Sequence, residues 1–333
     1  MATSNPSNPT GRTGFTKAQP RLPIEVCERI IDVIAELRGI TYPPTLRSAW
    51  TTSIDSYQVE RRWRTTLVAC ACVCRQWHHR CMHHLISCPY ISSREQVARL
   101  MQHLRARPDR CELVRHISVD GWPGSCDARP APYLGEALLL LSRPLRAVEQ
   151  LTLSTIHWET CMVHRKCMGS LAMYRNLTHL SLVYVRFTAA SQLRCLLAVL
   201  TCVRSLECRR VLCDKAKIVS SPHAAVQASA LRELSIAECS DVVYTLFATS
   251  IKAHKCAVVC FADLDTSEPV VEGCQRVCDA YSPSLRELKL VIRCTSRDRE
   301  CRSTEPSAPS LFNYSLFENS PQCHSSTSRN IEL

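Results

Sequence analysis

The chain begins with two segments whose apolar residues recur at helical spacing. In the first, an apolar side chain returns every third or fourth residue and gives a helix one apolar face: Val26, Ile30, Ile34 and Leu37. The second, residues 67–77, predicts a single helix with its own apolar stripe: Leu67, Ala71, Cys74 and Trp77. Two short helices cannot cover both flanks of such surfaces, so the pattern predicts a partner or a further domain there.

A further helix is marked by its two ends. Ser92 followed by Glu95 is typical of a capping box, in which each side chain accepts a hydrogen bond from the other residue's backbone N–H. Pro108 ends the helix, because proline supplies no backbone N–H to continue it.

From residue 114 onward, a short pattern of alternating apolar residues recurs. Its copies begin at residues 114, 148, 177, 203, 231 and 285, and a degenerate copy at 258–261 divides the last interval. Such alternation predicts a short strand with one buried face. The stretches between copies predict helices over residues 134–148, 191–203, 241–251 and 270–281.

Composition adds a basic balance and polar ends. The net charge of +11 suits an acidic protein, nucleic acid or an anionic membrane, although a solvated basic surface is the simpler interpretation. Residues 1–20 and 295–333 are polar and too poor in apolar side chains to fold, so we expect disorder there. Within the second, the apolar island 311–317 either docks back on the last repeated unit as a cap, stays disordered like its surroundings, or binds a partner, and a specific partner-binding motif is the least favoured of the three.

The chain also holds 22 cysteines but no signal sequence and no apolar run long enough to span a bilayer. We therefore expect an intracellular protein, in the cytoplasm or the nucleus and not secreted. Its thiols should stay reduced, and most should pack as small apolar side chains.

Two motifs near the start carry a family resemblance: Leu22-Pro23-x-Glu25-Val26 and Val73-Cys74-Arg75-x-Trp77. Together they resemble an F-box, a small helical module that docks on a Skp-type adaptor of cullin-based ubiquitin ligases. The resemblance covers residues 21–88 and departs from the family in a long internal spacer, residues 38–64. If this spacer is not looped out of the F-box-like module, it would disturb docking on the adaptor.

The units that follow, over residues 89–294, resemble leucine-rich repeats, in which stacked strand-and-helix units cover one another's apolar faces. They are irregular, because the Asn or Cys that the family places after each strand occurs only as Cys239. An unrelated α/β layer fold is the alternative. The two resemblances imply an α+β chain: N-terminal all-α F-box-like helices, then an irregular α/β solenoid with a parallel sheet.

By resemblance, such a chain is the substrate-recognition subunit of a Skp–cullin–F-box ubiquitin ligase. It would bind the adaptor, and through it a cullin, with the F-box, and an unidentified protein target with the repeats. Some of the F-box residues would face the adaptor and others would pack the module itself: Leu22, Pro23, Ile24, Val26, Ile30, Leu67, Val73, Cys74 and Trp77. The alternative is a non-catalytic scaffold, not linked to ubiquitin, whose N-terminal helices cap the repeats and bury Leu22, Pro23 and Ile24.

Other chemistry finds less support in the sequence. The cysteines and histidines of residues 70–88 approach zinc-ligand spacing, but the same cysteines fit core positions, so we expect no metal. No catalytic or phosphate-binding motif is present, and we expect neither an enzyme nor a cofactor. The run Arg61-Arg62-Trp63-Arg64 mixes charge with an aromatic, as single-strand binders do, but a solvated loop is the better interpretation. We therefore expect neither a nucleic acid nor a membrane partner.

Overall fold

Three helices form the first part of the protein, which is represented by a computed structural model. The structure describes residues 23–40, 53–121, 129–158, 165–214, 226–252, 255–264, 268–292 and 312–314. Helix α1 (Ile24–Ile40), α2 (Ser53–Ala71) and α3 (Arg75–Ser87) contact one another in all three pairings. Each helix turns one apolar stripe inward, and these stripes form a small core of their own: Ile31, Trp63, Leu67, Cys81 and Cys88.

The structure corrects three predictions in this region. Residues 67–77 are not one helix, because the turn Cys72–Cys74 separates α2 from α3. The predicted spacer 38–64 is shorter, since α1 continues to Ile40 and α2 already begins at Ser53. The cap of the next helix, α4 (Arg94–Ala106), is Ser93 rather than Ser92: the Ser93 hydroxyl accepts a hydrogen bond from the Gln96 amide at 3.3 Å.

A nine-stranded sheet follows. Its strands are β1 (Tyr90–Ile91), β2 (His116–Asp120), β4 (Gln150–Ser154), β6 (His179–Val183), β8 (Ser205–Arg209), β11 (Glu233–Ala237), β13 (Val258–Leu264), β14 (Glu287–Ile292) and β15 (Phe312–Tyr314). They lie side by side in the order β1-β2-β4-β6-β8-β11-β13-β14-β15, which is their order in the chain. Every neighbouring pair from β1 to β14 is parallel, as the pairs Leu151↔Leu180 and Leu206↔Leu234 illustrate, and the register shifts only between β13 and β14, at Ala262 and Leu264. The protein is thus a mixed helix and strand fold with a parallel sheet. All seven predicted strands, including the degenerate copy, lie in this sheet.

Helices and two smaller sheets accompany the large sheet. A 3₁₀ helix (Pro108–Leu113) precedes β2, and the later helices are α5 (Leu134–Ser142), α6 (Arg165–Leu171), α7 (Ala190–Val199), α8 (Asp241–Thr249) and α9 (Glu268–Tyr281). Four of these five were predicted; α6 was not. The second sheet consists of β3 (Arg129–Pro130), β5 (Ile156–Trp158), β7 (Arg186–Phe187) and β9 (Leu212–Cys213), and the third of β10 (Val226–Gln227) and β12 (Ile251–Lys252).

The apolar residues of the strands and of the helices form one continuous core. In β4, for example, Leu151 and Leu153 are buried while the alternate residues are half-buried. The buried strand residues pack with Leu138 of α5, Leu196 of α7 and Phe247 of α8. Each unit closes the core of the one before it, so burial accumulates along the stack.

The residue that directly follows each of four strands, β4, β6, β8 and β11, has a left-handed backbone: Thr155, Tyr184, Arg210 and Glu238, with φ between 50° and 56°. Non-glycine residues rarely adopt this conformation. The amides of Thr155, Tyr184 and Arg210 donate to carbonyls of the next strand's end at 2.8–2.9 Å, which compensates for the strained backbone.

The two parts of the protein contact each other at the first edge of the sheet. The Arg64 guanidinium of α2 lies over the Tyr90 ring of β1, 5.7 Å from its centroid, and the Arg115 amide donates to the Ser87 carbonyl of α3 at 3.0 Å. Ile86 of α3 already belongs to the core of the strand layer. The far edge is covered by β15, which pairs antiparallel with β14, so part of the predicted island 311–317 docks back on the last strand. Residues 1–20 and the rest of 295–333 lie outside the described residues.

Candidate docking faces

The first candidate face lies on α1, which carries two apolar stripes side by side. Cys27, Ile31 and Ile34 turn toward the helical core. One position earlier in each turn, Val26, Ile30 and Val33 remain 43%, 39% and 37% exposed. A helix with one buried and one open apolar stripe still presents surface that burial would stabilise.

Two further apolar side chains of the three-helix unit are exposed. Val68 of α2 is 51% exposed, and Val73, in the turn between α2 and α3, is 64% exposed. Val73 lies between the exposed cysteines Cys72 and Cys74. We define the docking face as the five exposed apolar residues of this unit: Val26, Ile30, Val33, Val68 and Val73.

The structure separates the residues that the resemblance grouped together. Pro23, Val26, Ile30, Val73 and Cys74 are exposed. Ile24 is half-buried, as is Trp77, which packs against the helical core. Leu67 is fully buried in that core, so it is one of the residues that pack the helical part itself. Leu22 lies outside the described residues.

Val33 and Val68 were missed from the sequence. Val33 continues the spacing of Val26 and Ile30, and an apolar face wider than one core stripe could have indicated it. Val68 differs from Leu67 by one position on the same helix, and only the packing of α2 against α1 and α3 decides which of the two is covered.

A charged cluster joins α1 to α3 behind the docking face. Arg80 donates to both carboxylate oxygens of Asp32 at 2.7 Å, and the His84 ring lies 2.9 Å from Oδ1. These hydrogen bonds, foremost that from Arg80, lower the pKa of Asp32 from its usual value to about 2. The same contact raises the pKa of Arg80. The cluster thus adds polar contacts between α1 and α3 to the apolar packing of the helical core.

The second candidate face is a groove on the exposed side of the large sheet, opposite the core. It has a volume of about 170 Å³ and crosses β2, β4, β6, β8, β11 and β13. The floor of the groove is open because the third residue of most of these strands has a small side chain: Thr152, Ser181, Ser235 and Cys260. Such a floor leaves room for an extended chain to lie across the strands.

Polar groups line the groove, and some of them bond one another. The Ser181 hydroxyl donates to Glu207 Oε2 at 2.9 Å, and His116 Nε2 lies 2.9 Å from the Thr152 hydroxyl. The buried Ser235 Oγ has no hydrogen-bond partner among the described residues, and exposed Glu233 begins the same strand. The groove therefore combines an exposed carboxylate, that of Glu233, with one buried and unsatisfied hydroxyl, that of Ser235.

The cysteines of the strand layer serve mostly in packing. Burial raises the pKa of the Cys213, Cys239, Cys256 and Cys274 thiols to about 12, so at neutral pH they are uncharged. The Cys239 Sγ lies 3.3 Å from the Cys208 carbonyl. The prediction that buried cysteines act as small apolar side chains is confirmed for these residues.

The comparisons with known proteins do not assign the chain to a family. No family model matches it, and no curated protein matches it in sequence. Within the described ranges, no group of three His, Cys, Asp or Glu side chains is placed to hold a metal ion. The helices of the described part are all too short or too polar to cross a membrane.

Proposed function

We propose that this protein is the substrate-recognition subunit of a Skp–cullin–F-box type ubiquitin ligase. The observation that carries the proposal is the open apolar stripe of α1, Val26, Ile30 and Val33, beside the buried stripe of the same helix. A monomer gains nothing from keeping such a stripe in water, whereas a second polypeptide that covers it does. The motifs around Pro23 and Val73 indicate that this polypeptide is a Skp-type adaptor.

The three helices would then be an F-box-like module, and the stacked strand-and-helix units an irregular leucine-rich-repeat-like solenoid. The adaptor would contact the docking face and link the chain to a cullin. A protein target would lie in the groove of the large sheet, where Ser235 and Glu233 offer hydrogen-bonding groups. The two faces belong to different parts of the chain, so one subunit can hold both partners.

The mechanism is proximity. A target held in the groove would be close to the activated ubiquitin that the ligase carries, and the effective concentration of a target lysine would rise. No residue of this chain needs to make or break a bond. The exposed docking face would bind the adaptor, whereas the buried Leu67 would stabilise the fold.

A pull-down with purified Skp-type adaptor tests the proposal. Val73 is the most exposed apolar residue of the docking face, and because it lies in a turn, a Val73→Asp variant should keep the fold. We expect wild type to retain the adaptor and Val73→Asp to retain much less. Equal recovery by both proteins, with unchanged circular dichroism, would remove the docking face from the proposal; no recovery by wild type would remove the adaptor.

A further inference from the structure

A row of cations follows the edge of the large sheet at which the strands begin. Each of the turns that lead into β4, β6, β8, β11, β13 and β14 carries at least one exposed cation. We call six of these residues, one from each turn, the basic edge: Arg146, Arg175, Arg204, Arg232, Lys255 and Arg286. Neither the docking face nor the groove accounts for them.

Backbone hydrogen bonds stack these turns directly on one another. The Arg204 amide donates to the Thr178 carbonyl, and the Arg232 amide to the Arg204 carbonyl, each at 2.8 Å. The Arg286 amide reaches the Ala257 carbonyl at 2.8 Å in the same way. Adjacent strands lie about 4.8 Å apart, so the five steps from β4 to β14 extend over about 24 Å.

Carboxylates are few along the basic edge, and two of the three beside it are engaged elsewhere; the third, Glu233, directly follows Arg232. Glu149 is the one acidic residue among the described residues of these turns, and it binds Arg115 at 2.9 Å. Glu287, which begins β14, binds Lys289 at 3.1 Å. No ion pair links Arg204 or Arg232 to any described residue, although these two like charges are neighbours across adjacent strands. Such an arrangement is destabilising unless an anion joins it.

Helix ends do not explain the row either. Cations stabilise the negative end of a helix only within its last turn. Arg146 lies four residues beyond the end of α5, and Arg204 and Arg286 each lie five residues beyond the end of α7 and α9. The cations therefore face solvent from the turns themselves.

We infer that the basic edge binds an acidic polypeptide segment in an extended conformation. A length of about 24 Å accommodates about seven residues at ~3.3 Å per residue. Five of the six cations are arginines, whose planar guanidinium groups bind carboxylates with two hydrogen bonds. The aromatic of these turns, Tyr174, is buried, so the described part of the edge offers no platform on which bases could stack. An acidic peptide therefore fits better than a single-stranded nucleic acid.

The test measures fluorescence anisotropy of a labelled oligoglutamate long enough to span the edge. The variant Arg204→Glu/Arg232→Glu/Arg286→Glu reverses three charges of the row. The control Arg62→Glu/Arg75→Glu/Arg105→Glu makes the same charge change at exposed arginines of α2, α3 and α4, for which no ion pair is seen among the described residues. We expect the first variant to weaken binding about tenfold, because three exposed ion pairs are lost, and the control to weaken it far less.

Three results would overturn the inference: equal weakening in both variants, no weakening in the first, or tighter binding of an oligothymidylate of the same length than of oligoglutamate. If the charge-reversed protein fails to fold, the milder Arg204→Gln/Arg232→Gln/Arg286→Gln variant replaces it, with the same expected order. The Arg204→Glu/Arg232→Glu/Arg286→Glu variant should recover as much adaptor as wild type does, since the docking face lies on α1, on α2 and in the turn after α2. Failure of the basic edge is thus distinguishable from failure of adaptor docking.

Discussion

Arg80 donates two parallel hydrogen bonds to Asp32, from Nε to Oδ1 and from Nη2 to Oδ2, each 2.7 Å long. The pair connects α3 to α1 across 48 positions of the chain. It joins the helix that carries the open apolar stripe to the helix that follows the Val73 turn.

This contact makes the stability of the helical part depend on pH. The Asp32 pKa is about 2 in the folded protein, compared with about 3.9 in an unfolded chain. The stabilisation is therefore fully present above about pH 4 and is lost as the pH falls toward 2. Because the Arg80 side chain is 40% exposed, we expect this contact to raise the free energy of unfolding by only about 1 kcal/mol. Urea unfolding of wild type and Asp32→Asn should differ by this amount at pH 7 and converge near pH 2; a constant difference would contradict the assignment.

Leu67 and Val68 provide a direct separation of folding from docking. Leu67 is fully buried, so Leu67→Ala should lower the free energy of unfolding of the helical part by about 2–4 kcal/mol. Val68 is half exposed to solvent, and Val68→Ala should change the free energy of unfolding by no more than about 0.5 kcal/mol. Thermal denaturation followed by circular dichroism measures both. Similar losses in the two variants would mean that α2 does not pack as described.

Much of the strand layer could be predicted from the sequence, because each strand copy combines a period-2 pattern with a recurrence that aligns it with its neighbours. The second sheet could not, since strands as short as Arg186–Phe187 are too brief to show any periodicity. The break between α2 and α3 was also missed. Cys72, Val73 and Cys74 preserve helical spacing and include neither Gly nor Pro, so no local signal marks the turn.

The docking face could be predicted only in part for a similar reason. Local pattern shows that Val26 and Ile30 are on a helix, but burial of the neighbouring stripe depends on contacts with α2 and α3. The capping error has a purely local cause: Ser92 and Ser93 are adjacent, and Glu95 and Gln96 are both residues that capping boxes use.

Gly121 should be intolerant of any side chain. It follows β2, and a Cβ built there would lie 2.3 Å from the Thr155 carbonyl oxygen. Gly121→Ala must displace the backbone of the next unit, and we expect a loss of about 1–3 kcal/mol. A Cβ at Gly169 of α6 would have no described atom within 4 Å apart from its chain neighbours and the backbone of its own helix, so Gly169→Ala should be neutral or stabilising by up to about 1 kcal/mol. Urea midpoints compare the two, and a harmless Gly121→Ala would show that the two units are farther apart.

A substitution at Ser235 tests whether the groove of the large sheet binds the target protein. The side chain of a Ser235→Trp variant would fill part of the groove. We expect this variant to recover fewer target proteins in affinity mass spectrometry, while its recovery of the adaptor stays at the wild-type level. Thr249→Trp, at an exposed position of α8, is the matched control and should leave the target set unchanged. If the target set survives Ser235→Trp intact, the target binds elsewhere on the chain.

The open stripe of α1 is the basis of the proposed function, and calorimetric titration with purified Skp-type adaptor tests it most directly. The variant Val26→Glu/Ile30→Glu puts two charges on the stripe, and Leu139→Glu/Val271→Glu puts two charges at apolar positions that are each 42% exposed on other helices. We predict that wild type and the second variant bind the adaptor with equal affinity and that the first variant does not bind. Binding by the first variant with wild-type affinity, or equal loss in both, would contradict the account.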